Sequence, residues 1–200
     1  MRALEVSYDG VILATAGTPH ATLLTFNLAW PIDEKWPRID IGGMNKYVDQ
    51  RMSHTHWFIE HSLPGHTLEL RLVDSASPTS PQDERFTDSD DYRAEQAEFE
   101  STLTGPRPPQ PPLARLAPEA CLTLHLPGME TIAAKLDDGR EWLFFRCVWG
   151  DHAPDECRIS LTSNGSEEIQ ARRAGRDWFR GKLKLGEGCR LGIGGSRGVN

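Results

Sequence analysis

The chain has 200 residues, which suffices for one large domain or two small ones. Its content of 38% hydrophobic and 26% charged residues allows it to bury a core, which excludes global disorder. The formal net charge of −7 disfavours nucleic acid as the main partner. No apolar run approaches the roughly 18 residues of a membrane-spanning helix, so we expect no membrane partner either.

The N-terminal segment and the cysteines bear on the cellular compartment. Residues 1–10 lack the apolar core and the small-residue cleavage site of a secretion signal. Four cysteines without Cys-x-x-Cys spacing lie in the second half of the chain: Cys121, Cys147, Cys157 and Cys189. We therefore expect a cytoplasmic protein whose cysteines are small buried hydrophobic residues, with a disulfide framework as the alternative.

Short segments with apolar residues at every second position begin at the N-terminus. In chain order they are LEVSY, VILATA, ATLLTFNLAW, RIDI, HWFIEH and TLELRLV. Leu24, Phe26 and Leu28 show the alternation that is typical of a half-buried β-strand. Asp-Gly and Pro-Gly dipeptides, which favour turns, separate several of the segments. The sequence therefore predicts a mainly all-β fold of the small-sandwich or open-barrel type.

Most of these segments recur in the second half of the chain. LEVSYDG at 4–10 matches LTLHLPG at 122–128, and ATLLTFNLAW at 21–30 matches REWLFFRCVW at 140–149. Further matches keep the same order: Ala14 with Ala133, Arg38 with Arg158, Ile39 with Ile159, Trp57 with Trp178, Phe58 with Phe179, Gly65 with Gly186, Leu70 with Leu191 and Ser75 with Ser196. Because the offset drifts only from 118 to 121, we predict a tandem duplication. The predicted units are β-domain copy 1 at residues 1–75 and β-domain copy 2 at residues 120–200.

Residues 76–119 differ in composition and are predicted to connect the two copies. The stretch DSDDYRAEQAEFESTLTGPRPPQPP opens with acidic residues, which suit a helix N-terminus. Tyr92, Phe99 and Leu103 follow at helical spacing, and a Gly-Pro pair ends the pattern. We expect a helix at about 89–103 followed by a Pro-rich spacer, with a solvated linker as the alternative.

Positions that both copies share are most simply required by the fold, so functional residues are expected where the copies differ. The shared tryptophans predicted to lie in the core are Trp30, Trp149, Trp57 and Trp178. Phe144 and Val148 are apolar residues at outward positions of a strand whose inward face is apolar as well. We expect the connector helix or the other domain to cover them, because a strand that is apolar on both faces is usually covered on both.

Two stretches of copy 1 hold candidate partner-binding residues. Trp36 lies between charged residues in the loop PIDEKWPR, where it could anchor a partner or cover the end of a sheet. On a strand, His54 and His56 would share one face at a common metal-ligand spacing. The spacing predicts only two ligands for a metal ion. The alternative to a metal site is that these are surface histidines near a sheet edge.

The third stretch is basic and lies in copy 2. ARRAGRDWFRGKLK contains the candidate partner-binding residues Arg172, Arg173 and Arg176. Further along it come Arg180, Lys182 and Lys184. Such a stretch could bind phosphate or an acidic protein surface, or it could offset the acidic connector within the same molecule.

No Walker loop, Gly-x-Ser-x-Gly elbow or His-Glu-x-x-His motif occurs in the chain, and we expect no catalytic residue and no cofactor. The sequence favours a non-catalytic module that binds a protein partner, as an inhibitor, an immunity-type factor or an assembly accessory factor. Two alternatives stay open. One is a metal-dependent enzyme that uses the histidines of residues 54–66, and the other is a β-sandwich that binds a carbohydrate or small ligand through Trp36.

Overall fold

The computed structural model describes residues 1–61, 65–104, 116, 119–136, 139–165, 168 and 174–195. The elements of the first part are β1 (Arg2–Tyr8), β2 (Val11–Ala16), β3 (Ala21–Pro31), β4 (Arg38–Lys46), β5 (Met52–His61), β6 (Thr67–Asp74), β7 (Asp83–Phe86) and α1 (Asp90–Thr104). Those of the second part are β8 (Ala120–His125), β9 (Ile132–Lys135), β10 (Trp142–Gly150), β11 (Glu156–Asn164), β12 (Arg176–Lys184) and β13 (Gly188–Gly195). The all-β prediction is confirmed.

The strands form two antiparallel sheets that pack face to face around one core. The six-stranded sheet has the order β2-β1-β6-β13-β8-β9, and the seven-stranded sheet has the order β12-β11-β10-β3-β4-β5-β7. Tight turns connect neighbouring strands where the sequence supplies residues for them. The β1–β2 turn holds Asp9 and Gly10 at φ of 48° and 82°, as a two-residue hairpin turn requires.

Strands from both halves of the chain hydrogen-bond to one another in each sheet. β6 pairs with β13 in the six-stranded sheet, and β3 pairs with β10 in the seven-stranded sheet. The sequence predicts two β-domains in tandem, whereas the sheets run continuously from one half into the other. These two pairings satisfy strand edges that would otherwise be exposed, which explains why the halves join. The boundaries at residues 75 and 120 stay a prediction.

Alternating side chains of β3 and β10 form the centre of the core. Leu24, Phe26 and Leu28 are at most 1% exposed, and Phe145 on β10 is fully buried. The rings of Phe26 and Phe145 meet edge to face, with 6.0 Å between their centroids. The period-2 pattern of the sequence therefore identifies the inward face of both strands correctly.

The prediction that the shared tryptophans lie in the core is confirmed for three of the four. Trp30, Trp57 and Trp149 are no more than 4% exposed, whereas Trp178 is only partly buried. The indole N–H groups of Trp30 and Trp149 donate to the carbonyl oxygens of Glu34 and Pro154 at 3.2 and 3.0 Å. These bonds satisfy the polar end of each buried ring.

Three of the cysteines, Cys147, Cys157 and Cys189, are buried free thiols, as expected, and Cys121 is half-buried. Burial raises the pKa of Cys189 to about 12. Burial also raises the pKa of Cys147 well above its usual value, and the neighbouring Cys157 adds to this effect. Cys147, Cys157 and Cys189 are therefore small hydrophobic residues of the core.

Helix α1 begins after Ser89, whose hydroxyl oxygen accepts a hydrogen bond from the backbone N–H of Tyr92 at 3.3 Å. Glu95 on the helix receives two hydrogen bonds from Arg85 on β7, at 2.7 and 2.8 Å. The contact with Arg85 joins α1 to β7, and a hydrogen bond between Tyr92 and His54 joins it to β5. The side chains of Phe99 and Leu103 and the predicted Pro-rich spacer lie outside the described residues. Within the described ranges, no helix is long and apolar enough to cross a membrane.

Candidate functional site

The outer face of β10, β11 and β12 carries a groove with a volume of about 950 Å³. Its side chains stand in rows that cross the three strands. In one row Arg146 faces Ser160, which faces Arg180. In the next row Val148 faces Arg158, which faces Lys182. We call this feature the cationic groove, after Arg146, Arg158, Arg180 and Lys182.

Two of the four cations in the groove are paired with carboxylates of the same protein. Arg180 contacts Asp177 at 2.9 Å, and Lys182 contacts Glu156 at 2.5 Å. Arg146 and Arg158 have no ion pair with any described residue, and both are exposed. Asp177 is the single acidic residue among the described lining residues. The groove is therefore locally positive on a chain whose formal net charge is −7.

Aromatic side chains extend the groove along β10. Trp142 and Phe144 lie parallel, with 5.7 Å between their ring centroids and an interplanar angle of 5°. The guanidinium of Arg146 lies 5.3 Å from the centroid of Phe144. These three residues alternate along the strand and so share its outer face. The resulting surface combines apolar area with a cation that has no carboxylate partner among the described residues.

The prediction that the connector helix or the other domain covers Phe144 and Val148 is wrong for the described residues. Both side chains are half-buried and line the cationic groove. The described contacts of helix α1 go to β5 and β7 instead, through His54 and Arg85. The outward apolar residues of β10 are therefore part of the lining of the groove, together with the charged residues beside them.

The chemistry of the groove suits an anionic group. Guanidinium groups offer paired N–H donors that match the two oxygens of a carboxylate or phosphate. Ser160 and Thr162, which face Arg146 and Phe144 across the β10–β11 pair, offer hydroxyls as further hydrogen-bonding groups. Phe144 and Val148 add apolar contact area beside the arginines.

Trp36 lies in the loop between β3 and β4, at one end of the seven-stranded sheet. Its ring is partly buried, and the ammonium group of Lys35 lies 4.6 Å from the ring centroid. It is not among the lining residues of the cationic groove. The loop has its own ion pair, between Arg38 and Glu34 at 3.5 Å. The role of Trp36 in partner binding stays a prediction.

His54 and His56 lie on β5 and share its outer face, because they alternate with the buried Ser53 and Thr55. His54 Nε2 lies 2.9 Å from the hydroxyl of Tyr92, whose ring stacks on the imidazole. His56 Nδ1 lies 3.4 Å from a carboxylate oxygen of Asp40. Partial burial, and secondarily the neighbouring His56, lowers the pKa of His54 below its usual value.

The histidines of residues 54–66 are divided between the two sheets. His66 precedes β6 of the six-stranded sheet, where it forms a short hydrogen bond with Asp9 and stacks on Tyr8. The side chain of His61 lies outside the described residues. Over the described part of the chain, no three His, Cys, Asp or Glu side chains are placed to hold a metal ion.

The basic stretch of copy 2 is only partly described. Arg172 and Arg173 lie outside the described residues. The guanidinium of Arg176 lies 3.9 Å from the ring centroid of Trp178, at the start of β12. Further along the strand, Arg180 and Lys182 point into the cationic groove. Part of the predicted basic stretch thus contributes to the groove, whereas Arg176 packs on a tryptophan.

Sequence reasoning missed Arg146 and Arg158 as candidate functional residues. Arg158 matches Arg38 and was therefore assigned to the fold, yet it lies exposed in the groove. Arg146 stands between Phe144 and Val148 on the outward face of β10, and a charged residue between two outward apolar ones was the available signal. Which cations meet across strands depends on the register, which the sequence does not encode locally.

A polar cluster on β4, β5 and β7 has a structural explanation. Glu84 accepts hydrogen bonds from Tyr47 at 2.5 Å, Ser53 at 2.5 Å and Asn45 at 3.1 Å. Burial acts to raise the pKa of Glu84, but these hydrogen bonds together lower it. The cluster satisfies the buried polar groups of Asn45 and Ser53 and attaches the short edge strand β7 to the sheet.

Comparison with known proteins supplies no assignment for this site. No protein family model matches the chain, and neither a curated protein nor a solved structure is significantly similar to it.

Proposed function

We propose that the chain is a tandem duplication folded into one sandwich, and that it acts as a non-catalytic module that binds a protein partner through the cationic groove. An inhibitor, an immunity-type factor and an assembly accessory factor all fit this description. The proposal has two parts, the origin of the fold and the use of its face, which are supported by separate observations.

The duplication is supported by the order of the strands. By position in the chain, β1, β2 and β6 correspond to β8, β9 and β13, and β3, β4 and β5 correspond to β10, β11 and β12. In each sheet, equivalent strands then lie at equal distances on either side of the centre. The unit β2-β1-β6 is next to β13-β8-β9, and the unit β5-β4-β3 is next to β10-β11-β12. A two-fold relation between two copies of one unit produces this order. The extra strand β7 extends one edge only.

The hydrogen-bond register supports the same conclusion residue by residue. Asn27 and Arg146 occupy equivalent positions in the gapless sequence match, and they face each other across the β3–β10 pair. Glu69 and Arg190 are likewise equivalent, face each other across the β6–β13 pair and form an ion pair at 2.8 Å. Equivalent residues can face each other only at an approximate two-fold axis, so one axis passes through the middle of both sheets.

The register also corrects one of the sequence matches. Ala14 faces Val6, and the residue facing the equivalent Leu124 is Ile132. Ala14 therefore corresponds to Ile132, not to Ala133. The next inward position is then occupied in both copies by a fully buried alanine, which is the more consistent assignment.

The use of the face rests on one observation, the presence of Arg146 and Arg158 beside Phe144 and Val148 without a carboxylate partner among the described residues. Aromatic residues and arginine are enriched in protein interfaces, and arginine is among the residue types that contribute most to binding energy. The backbone beneath this face is also rigid, because β10, β11 and β12 are paired strands. Rigidity reduces the entropy lost on binding a partner.

The test compares the partners captured by the tagged protein and by charge-reversed variants. The groove variant is Arg146→Glu with Arg158→Glu, and the matched control is Arg71→Glu with Arg93→Glu, which reverses two exposed arginines away from the groove. We expect a partner that the wild type and the control retain and that the groove variant loses by more than tenfold. Titration of the purified partner against all three proteins measures the change in Kd.

Two results would contradict the protein-binding proposal. The first is a partner lost equally with the groove variant and with the control, because net charge alone would then explain the loss. The second is a partner retained by both variants, because the groove would then not be the binding surface. Thermal unfolding of each variant, within a few degrees of the wild type, shows that the fold is intact.

A second candidate function is binding of a carbohydrate or small ligand. The parallel rings of Trp142 and Phe144 favour it, since flat aromatic surfaces stack on sugar rings and planar ligands. This places the ligand on β10 and not at Trp36. A glycan array probed with the wild type and with Trp142→Ala tests it, and specific binding that depends on Trp142 is the supporting result.

A further inference from the structure

We propose that the groove is occupied by an extended segment of the partner protein that carries aspartate or glutamate at alternate positions. This inference rests on the proposed function, because it names the chemistry of the partner that the groove would bind. It follows from the spacing of the cations, from their unequal neutralisation and from the charges that border the groove.

The spacing of the cations matches an alternating acidic segment. Arg146 faces Ser160, and Arg158 stands two residues away from Ser160 on the same strand. Such diagonal neighbours on a sheet are about 7–8 Å apart. In an extended chain, side chains on one face recur at about 7 Å. Two carboxylates on alternate residues of a partner segment therefore reach Arg146 and Arg158 together.

The four cations differ in whether a carboxylate already neutralises them. This difference favours binding of the acidic segment on the side of the groove next to β10. Arg180 and Lys182 already contact Asp177 and Glu156. Arg146 lies beside Phe144 and forms no ion pair with a described residue, so its side chain can turn toward a carboxylate without breaking one. Adding a carboxylate to this arginine gains a charge-assisted hydrogen bond at little cost.

Charges around the groove favour a short acidic segment over a long polyanion. Beyond Arg146, the sheet continues with Asn27 on β3 and Asp40 on β4, and these two side chains are hydrogen-bonded to each other at 3.2 Å. Asp177 and Glu156 lie at the other margin. A nucleic acid strand would extend beyond the cations and meet these carboxylates, which repel phosphate groups. A segment with two to four acidic residues fits within the border.

The groove also accommodates the residues between the acidic ones. In an extended segment, these intervening residues point away from the sheet, and the methylene groups of the acidic side chains lie toward the apolar contacts beside the arginines. Phe144 and Val148 provide such contacts at the base of the groove. Its volume of about 950 Å³ lies within the usual range for clefts that bind drug-sized ligands, so there is room for several side chains.

The experiment measures binding of a fluorescein-labelled ten-residue peptide that carries glutamate at three alternate central positions and serine elsewhere. The control peptide carries glutamine in place of glutamate. Fluorescence anisotropy is recorded with the wild-type chain, with Arg146→Gln plus Arg158→Gln, and with the control Arg71→Gln plus Arg93→Gln. We expect the glutamate peptide to bind the wild type and the control equally, to lose at least tenfold in affinity with the groove variant, and to bind more weakly at high salt.

Three results would overturn the inference: no difference between the glutamate and glutamine peptides, equal loss of affinity in both variants, and tighter binding of oligodeoxythymidine or inorganic phosphate than of the peptide at matched charge. These results are distinguishable from failure of the proposed function. A partner whose capture depends on Arg146 and Arg158, together with failure of the glutamate peptide, would retain the binding surface and reject only the acidic segment.

Discussion

Trp57 and Trp178 occupy the same place in two different strand pairs, because each is the extra residue of a β-bulge. In the β4–β5 pair, Ile41 faces Phe58 and Gly42 faces His56, so Trp57 has no partner in the ladder. In the β11–β12 pair, Leu161 faces Phe179 and Thr162 faces Asp177, which leaves Trp178 without a partner in the same way. A bulge re-aims the side chain of its extra residue and bends the strand.

The surroundings of the two rings differ even though their backbone positions correspond. Trp57 is 2% exposed and donates its indole N–H to the carbonyl oxygen of Thr79 at 2.8 Å. Trp178 is partly exposed, donates to the hydroxyl of Ser163 at 3.0 Å and carries Arg176 over its ring. The residues after β6 cover the first ring, whereas in the second half a guanidinium takes that place.

Replacing each tryptophan by alanine should therefore have unequal effects on stability. Trp57→Ala removes a buried aromatic side chain and should lower the free energy of unfolding by about 3–5 kcal/mol. Trp178→Ala leaves a smaller cavity at a site that solvent can reach, so we expect a loss of about 1–2 kcal/mol. Urea unfolding of both variants measures the difference. Equal losses would show that Trp178 contributes to the core as fully as Trp57 does.

The strands themselves could be predicted from the sequence because apolar residues alternate and turn dipeptides separate them. β7 could not, since its four residues, Asp83–Phe86, include three charged ones and show no alternation. It forms because Glu84 accepts hydrogen bonds from three residues of β4, β5 and the loop between them. These groups are far apart in the sequence, so no local sequence pattern predicts the cluster.

The cationic groove could not be predicted for a related reason. Arg146, Arg158 and Arg180 belong to three strands, and they meet only once the register of β10, β11 and β12 is known. The pairing of β3 with β10 is not part of the predicted pair of tandem β-domains for the same reason. Both β3 and β10 have alternating apolar residues, but this pattern does not specify which strand each of them pairs with.

Protonation of His54 should weaken the attachment of helix α1. Partial burial, with a smaller effect of His56, lowers the pKa of His54 below 6.5, so the folded state favours the neutral imidazole. The titratable neighbours of its imidazole include Arg85, which faces His54 on β7, and Tyr92, which contacts it from α1. The stabilisation from this neutral histidine is complete above about pH 6.5 and decreases as the pH falls toward the lowered pKa of the folded state.

Two measurements check the prediction for His54. A proton-detected titration of the imidazole should give a pKa below 6.5 in the folded chain. In His54→Gln, the decrease in stability of α1 below this pH should become smaller, as measured by amide hydrogen exchange of the helix. A pKa at or above the ordinary value, or an unchanged pH dependence in the variant, would contradict the proposed effect.

The cysteines should differ strongly in their reactivity toward a thiol reagent. Cys121 is half-buried, whereas Cys147 and Cys189 are in the core, and the pKa of Cys189 is raised to about 12 by burial. The thiolate is the reactive form, so both burial and a raised pKa slow the reaction. With Ellman's reagent at neutral pH, we expect Cys121 to react first in the native chain and all four thiols to react in denaturant.

The control for this prediction is Cys121→Ser, which should remove the early phase of the reaction without changing the slow ones. Because the other three thiols are buried, their reaction should follow the rate of unfolding and accelerate with added urea. An early phase that persists in Cys121→Ser would show that a core cysteine is exposed in the native state.

The continuity of both sheets predicts that the two halves unfold together. Phe145 is fully buried on β10, next to β3, and its ring contacts Phe26 of the first half. Phe145→Ala should therefore destabilise residues on both sides of the junction by about 3–5 kcal/mol. The loss is measured by native-state hydrogen exchange of the slowest amides in β1 and in β8, which belong to different halves.

A matched control is Val11→Ala, because Val11 is 68% exposed at the edge of the six-stranded sheet and its truncation should change little. If Phe145→Ala accelerated exchange in β8 and left β1 unchanged, the halves would be independent folding units in spite of their shared sheets. Equal acceleration in both strands is the expected result, because the strand pairs β3–β10 and β6–β13 connect the halves through two ladders and one core.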